Sequence, residues 1–114
     1  DTKTGRMDLD KYYQLPEDMP SAFVCNCDLA ASYLIRKLRA NGYRVPEDIS
    51  VVGFDNYLFP GLCDIGITTY EVNIGEMARR VVHKIVRKIA NENYTAGVFI
   101  VDGHMVIKDS VTRK

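Results

Sequence analysis

The stretch that most constrains this chain is Ile49-Ser50-Val51-Val52-Gly53-Phe54-Asp55-Asn56. An apolar, β-branched run bounded upstream by Pro46-Glu47-Asp48 and stopped by a carboxylate reads as a buried strand with Asp55 at its C-terminal tip. Ala22-Phe23-Val24-Cys25 is a second short buried strand, and between the two lies a helical pattern from Leu29 to about Ala40. Its apolar face is Ala30, Ala31, Leu34, Ile35 and Leu38, with Asp28 expected as the N-cap and Asn41-Gly42 as the left-handed stop. Arg36, Lys37 and Arg39 sit in its last turns, where positive charge suits the helix dipole. Strand, helix and strand within about 35 residues is βαβ spacing, which implies parallel strands joined by a right-handed crossover. Both strand tips then open on one rim, formed by Asn26-Cys27-Asp28 and Asp55-Asn56. Ligands in open α/β sheets bind outside such tips, so Asp55 is the first candidate site residue.

The remaining chain is organised around this unit. Residues 1 to about 19 form a polar lead-in with room for one short helix before Leu15-Pro16 and Met19-Pro20. After Asp55, the run Tyr57-Leu58-Phe59-Pro60-Gly61-Leu62 is an apolar loop with two open readings, packing back on its own domain or facing a partner. Residues 65–70 are extended. Asn73 and Glu76 resemble a capping box opening a long helix to about Ala90. That helix has a wide apolar stripe (Met77, Ala78, Val81, Val82, Ile85, Val86, Ile89) and a basic face better read as solvated than as a nucleic-acid contact. Local signals make 98–107 a hairpin turning at Asp102-Gly103.

Composition narrows the function classes. A chain of 114 residues has room for one domain, and its 15 basic side chains balance 15 acidic ones, so no global field draws it to nucleic acid or an anionic membrane. Three cysteines with Cys25 and Cys27 two apart fit reduced thiols in a cytoplasmic protein, and neither they nor the two histidines have metal-ligand spacing. No apolar stretch reaches the length of a membrane span. The triplet Asn93-Tyr94-Thr95 matches a glycosylation acceptor, but nothing else points to secretion. No nucleophile elbow, phosphate loop, dinucleotide fingerprint or zinc-protease motif occurs, so neither an enzyme nor a cofactor is expected. A phosphoacceptor role for Asp55 lacks the acidic pair and Lys that would hold magnesium. An Asp at a strand tip can instead accept two charge-assisted hydrogen bonds from neighbouring hydroxyls of a polyol. The start at Asp1, without Met, reads as part of a longer protein.

The run from Pro20 to Ala31, continued by Leu38-Arg39-Ala40-Asn41-Gly42-Tyr43-Arg44-Val45-Pro46-Glu47-Asp48-Ile49-Ser50-Val51-Val52-Gly53-Phe54-Asp55-Asn56, strongly resembles the effector-binding domain of the LacI/GalR family of bacterial transcriptional regulators. Ile67-Thr68-Thr69, Gly75-Glu76-Met77-Ala78 and Met105-Val106-Ile107-Lys108-Asp109-Ser110 extend the match over about residues 20 to 111.

The resemblance implies a periplasmic-binding-protein-like type I fold, a parallel-sheet α/β sandwich in two lobes with a small effector, commonly a sugar, between them. It makes residues 20–114 the C-terminal portion of that domain, with about 71–101 belonging to the other lobe and 98–107 one long strand through a hinge. It places most of the N-terminal lobe and the DNA-binding domain before residue 1, so operator DNA would be met through that missing part alone. By the same resemblance Asp55 holds effector hydroxyls, with Cys27, Asn26 and Asn56 beside it. Cys27 stands where relatives have an Asn, and Ile74 where a stacking aromatic can occur. Tyr33, Tyr57, Leu58 and Phe59 fall where C-terminal lobes pair into homodimers. An exported sugar-binding protein of an uptake system, with the same fold, is the alternative.

Overall fold

The computed structural model describes residues 13–57 and 59–113. The expected short helix of the lead-in lies mostly outside them, and residues 13–19 carry no helix or strand. The elements are β1 (Ala22–Val24), α1 (Asp28–Ala40), β2 (Ser50–Phe54), β3 (Thr68–Glu71), α2 (Ile74–Ala90) and β4 (His104–Val106). They form one sheet in the order β1-β2-β3-β4. The βαβ expectation holds, because β1 and β2 run parallel with Val24 opposite Val52, and β3 continues the parallel set with Thr68 opposite Val52. β4 closes the edge antiparallel to β3, pairing His104 with Glu71.

Helix α1 packs on β2 and supplies half of the core. Ala31, Leu34, Ile35 and Leu38 recur at helical spacing and bury against Val45, Ile49, Val51 and Ile67. Each of the larger side chains contributes roughly 1.5–3 kcal/mol on burial, so this small cluster orients the sheet beneath the site. Asn41 and Gly42 end α1, and Gly42 adopts φ 87, the left-handed stop that its sequence position called for.

The C-terminal stretch is stitched into the same core. Ser110 is fully buried; its hydroxyl donates to the Val51 carbonyl at 2.6 Å and accepts the Thr68 amide at 2.8 Å. Removing that hydroxyl leaves a buried donor and a buried acceptor facing an apolar methyl, and each orphan costs about 1–3 kcal/mol. Ser110→Ala is therefore expected to destabilise the fold by about 2 kcal/mol in urea titrations.

The hairpin over 98–107 is not formed. Residues 97–103 carry no regular structure, and β4 pairs with β3 instead. The long-strand alternative is met only in β4. Val98 and Ile100 are almost fully exposed, so no neighbouring strand supplies the hydrogen bonds that would hold them extended.

Helix α2 forms where expected and is capped by Asn73, whose Oδ1 accepts the Glu76 amide at 3.0 Å. Glu76 does not reach back as in a full capping box, because Arg79 and Arg80 hold its carboxylate and keep its pKa below the usual range. No side chain of α2 is buried, and Met77, Val81, Val82, Ile85, Val86 and Ile89 all face solvent. The radius of gyration, 18.7 Å, accordingly exceeds the value of about 13 Å for a compact chain of this length. An apolar stripe of this kind is rarely left open in a soluble monomer. The 114-residue chain on its own is expected to associate, and a monomeric mass by light scattering together with a helix α2 protected from hydrogen exchange would count against this.

Candidate functional site

The parallel register carries the ends of β1 and β2 to the same side, and the turn after β2 is the structural centre of that rim. Asp55 and Asn56 adopt φ 93 and 50, left-handed conformations that cost a non-glycine residue about 1–2 kcal/mol each. Local hydrogen bonds hold them there. The Asp55 amide donates to the Tyr70 carbonyl at 2.9 Å, and the Asn56 amide to Thr69 Oγ1 at 3.3 Å. The Tyr57 amide is shared, lying 2.9 Å from Asp28 Oδ2 and 3.0 Å from Asp55 Oδ1.

Asp28 does not cap α1, contrary to the sequence expectation. Cys27 is the N-cap, its Sγ accepting the Ala30 amide at 3.4 Å, and Asp28 is already the first helical residue. Sulfur is a weak acceptor, but the cap position needs only a side-chain acceptor facing the free amides of the first turn. The Asp28 carboxylate turns inward instead, 2 % exposed, to the turn after β2. Burial raises its pKa; the Thr69 hydroxyl and the Tyr57 amide pull it back, and the Asp55 carboxylate pushes it further up.

Asp55 lines a cavity of about 480 Å³ with Asn56, the β3–α2 connection from Glu71 to Gly75, and Asp102-Gly103-His104. Asp55 is half-buried, and its Oδ1 already accepts the Tyr57 amide. Asn56 belongs to this wall too, but its side chain bridges neighbours: Nδ2 donates to Glu71 Oε2, and Oδ1 accepts from Lys108 Nζ at 2.7 Å. Gly103 is required by close approach, since a Cβ there would collide with the Glu71 carbonyl and the Tyr70 ring, whose hydroxyl accepts the Gly103 amide at 2.9 Å. Ile74 opens α2 at the cavity edge and is 66 % exposed. The lining carries three carboxylates, those of Asp55, Glu71 and Asp102, and neither a Lys nor an Arg.

Asp55 and Asn56 are thus brought together, whereas Cys27 and Asn26 do not line this cavity. Cys27 is turned to the helix start, and Asn26 is exposed on the rim. All three cysteines are free; burial pushes the Cys25 thiol up to about 11, a value suited to an inert packing role. No group of three metal-ligating side chains is present among the described residues, and no helix there is long and apolar enough to cross a membrane.

The loop after Asp55 packs back on its own domain at its far end. Leu62, Cys63 and Ile65 pack against the core, and Arg36 Nη2 holds the Leu62 carbonyl at 2.9 Å while Arg39 pairs with Asp64. Tyr57 and Phe59 remain exposed, their rings parallel with centroids 6.2 Å apart. Tyr33 is half-buried between Tyr13 and the guanidinium of Arg36. Leu58 lies outside the described residues.

Sequence reasoning missed Glu71, Asp102 and His104 as wall residues, and Thr69 and Lys108 as supports. The pairing of β4 with β3 sets Glu71 against His104, 3.9 Å apart, and no local pattern announces that register.

Comparison with known proteins places this geometry. A model of the periplasmic binding protein-like domain matches residues 2–111. The NTD biosynthesis operon regulator NtdR of Bacillus subtilis (strain 168) is 32 % identical over 95 residues, covering 82 % of this chain and 29 % of the regulator. A LacI-type transcription regulator from Bifidobacterium animalis subsp. lactis superposes with TM-score 0.74 at 30 % identity, over 82 % of this chain and 34 % of that one. The transcriptional regulator CelR, in its cellobiose complex, superposes with TM-score 0.72 at 28 % identity, over 79 % of this chain and 28 % of that one. This chain therefore spans less than a third of the length of the curated relatives it matches. It belongs to the periplasmic-binding-protein-like domain family, on the branch of the LacI-type transcriptional regulators.

Proposed function

We propose that this chain supplies one wall of a sugar-effector site in a cytoplasmic, homodimeric transcriptional regulator, and that it binds rather than catalyses. The observation that carries the reading is the half-buried Asp55, held at the tip of β2 and lining a cavity of about 480 Å³. That volume accommodates a small sugar, and an ionised carboxylate fits adjacent hydroxyls bidentately. CelR was solved with cellobiose, which supports a carbohydrate as the ligand class. Residues 71–101 are assigned to the second lobe: α2 leaves the sheet after Val72, and its uncovered apolar stripe suits the missing lobe as a neighbour. The exposed rings of Tyr57 and Phe59, together with Tyr33 on α1, form the proposed dimer face.

Closure of the lobes on an effector would then alter the spacing of DNA-binding domains outside this chain. Such a shift requires a different affinity for the open and closed states. Calorimetry of the full-length protein with glucose, sucrose and cellobiose tests the reading. Saturable binding of at least one is expected, and no heat from any of them removes the sugar assignment.

A further inference from the structure

The turn that presents Asp55 contains one backbone donor facing two carboxylates. Tyr57 N–H is 2.9 Å from Asp28 Oδ2 and 3.0 Å from Asp55 Oδ1. The two acceptors differ in what else they can do. Asp55 is half-buried and lines the cavity, within reach of a bound hydroxyl. Asp28 is 2 % exposed, packed between the first turn of α1 and the strand β2 at Gly53, and it does not line the cavity that Asp55 lines. Its Oδ1, packed against Gly53, has no hydrogen-bond partner among the described residues, so the Tyr57 amide on Oδ2 is its bond to the turn.

We infer that Asp28 is a positioning residue for Asp55: it takes over the Tyr57 amide when an effector occupies Asp55, so the turn keeps its left-handed geometry while the binding carboxylate is released. This rests on Asp55 being the hydroxyl-binding group. It adds a consequence for the loop. Without Asp28, the Tyr57 amide would have Asp55 as its sole acceptor here, and effector binding would have to break the bond that fixes the start of the segment bearing Tyr57 and Phe59. With Asp28 present, that segment is anchored to α1, which also holds its far end through Arg36 and the Leu62 carbonyl. Occupancy of the cavity and the position of the loop are therefore insulated from one another at this turn.

Hydrogen exchange at the Tyr57 amide of the full-length protein tests the assignment. Asp28→Ala and Asp55→Gly each remove one acceptor; glycine is chosen at position 55 because φ 93 suits it without strain. Each single variant is expected to keep the amide protected, and the double variant to exchange at least tenfold faster than either. Asp28→Ala with saturating glucose, sucrose or cellobiose, whichever the wild type binds, is expected to lose protection like the double variant, whereas the wild type does not. Sugar affinity should fall about tenfold in Asp28→Ala, the worth of one hydrogen bond, and recover in Asp28→Asn, whose carbonyl oxygen can accept.

Full loss of protection in Asp28→Ala without sugar would overturn the proposal, as would no loss in the double variant. If Asp28→Ala fails to fold, Asp28→Leu replaces it, filling the site without an acceptor. The sugar-free arms need no effector, so they decide whether the two acceptors are interchangeable even if calorimetry rejects a sugar ligand.

Discussion

Gly53→Ala is expected to destabilise the protein by about 3 kcal/mol. Gly53 lies within β2, and a Cβ built there collides with Asp28 Oδ1 and lies 3.1 Å from both Asp28 Cγ and Ile67 Cγ2. Neither neighbour can retreat cheaply. Ile67 belongs to the buried core, and Asp28 is fixed by its place in the first turn of α1 and by the Tyr57 amide. Overpacking a well-filled interior costs about 1–3 kcal/mol, and displacing Asp28 adds the loss of one of the two acceptors of the Tyr57 amide. Urea unfolding of the full-length variant measures the loss. A variant within about 1 kcal/mol of wild type would show that β2 and α1 can separate at this point.

Asp55→Asn is expected to weaken sugar binding about a hundredfold while leaving stability almost unchanged. Hydrogen bonds to a charged group contribute roughly 1.5–3 kcal/mol, and an amide in place of the carboxylate loses the charge and one of two equivalent acceptors. Asparagine tolerates the left-handed backbone at φ 93 better than most residues, and Asp28 still accepts the Tyr57 amide, so the turn itself persists. Calorimetry gives the affinity and urea titration the stability. Equal affinity in wild type and variant would take Asp55 out of the site.

Much of this was legible in residues 20 to 56, where hydrophobic period, capping chemistry and a strand stopped by a carboxylate agree with one another. The strand β2, the helix α1 with its glycine stop, and the shared rim all follow from such local agreement, and the family likeness is concentrated there. The segment after Ala90 was harder to read. Two apolar runs flanking Asp102-Gly103 have the local signature of a hairpin, yet residues 98–101 pair with no strand among the described residues and β4 turns to β3. Strand pairing is decided by what lies alongside, which a window of sequence does not contain. Asp28 shows the same limit on a smaller scale. Its residue type and position both favour a helix cap, but the acceptor one residue earlier, Cys27, takes the free amide and leaves the carboxylate to turn inward.

Sequence alone determined the βαβ unit, the placement of Asp55 at a strand tip and the family, because short-range periodicity and turn chemistry are local properties of the chain. Tertiary structure decided which side chains surround that carboxylate. Glu71, Asp102 and His104 reach the cavity through the β3–β4 pairing, and Asp28 meets Tyr57 across 29 residues of chain. Contacts between distant segments depend on register and on how a helix sits over its sheet, and those are settled only when the whole core packs.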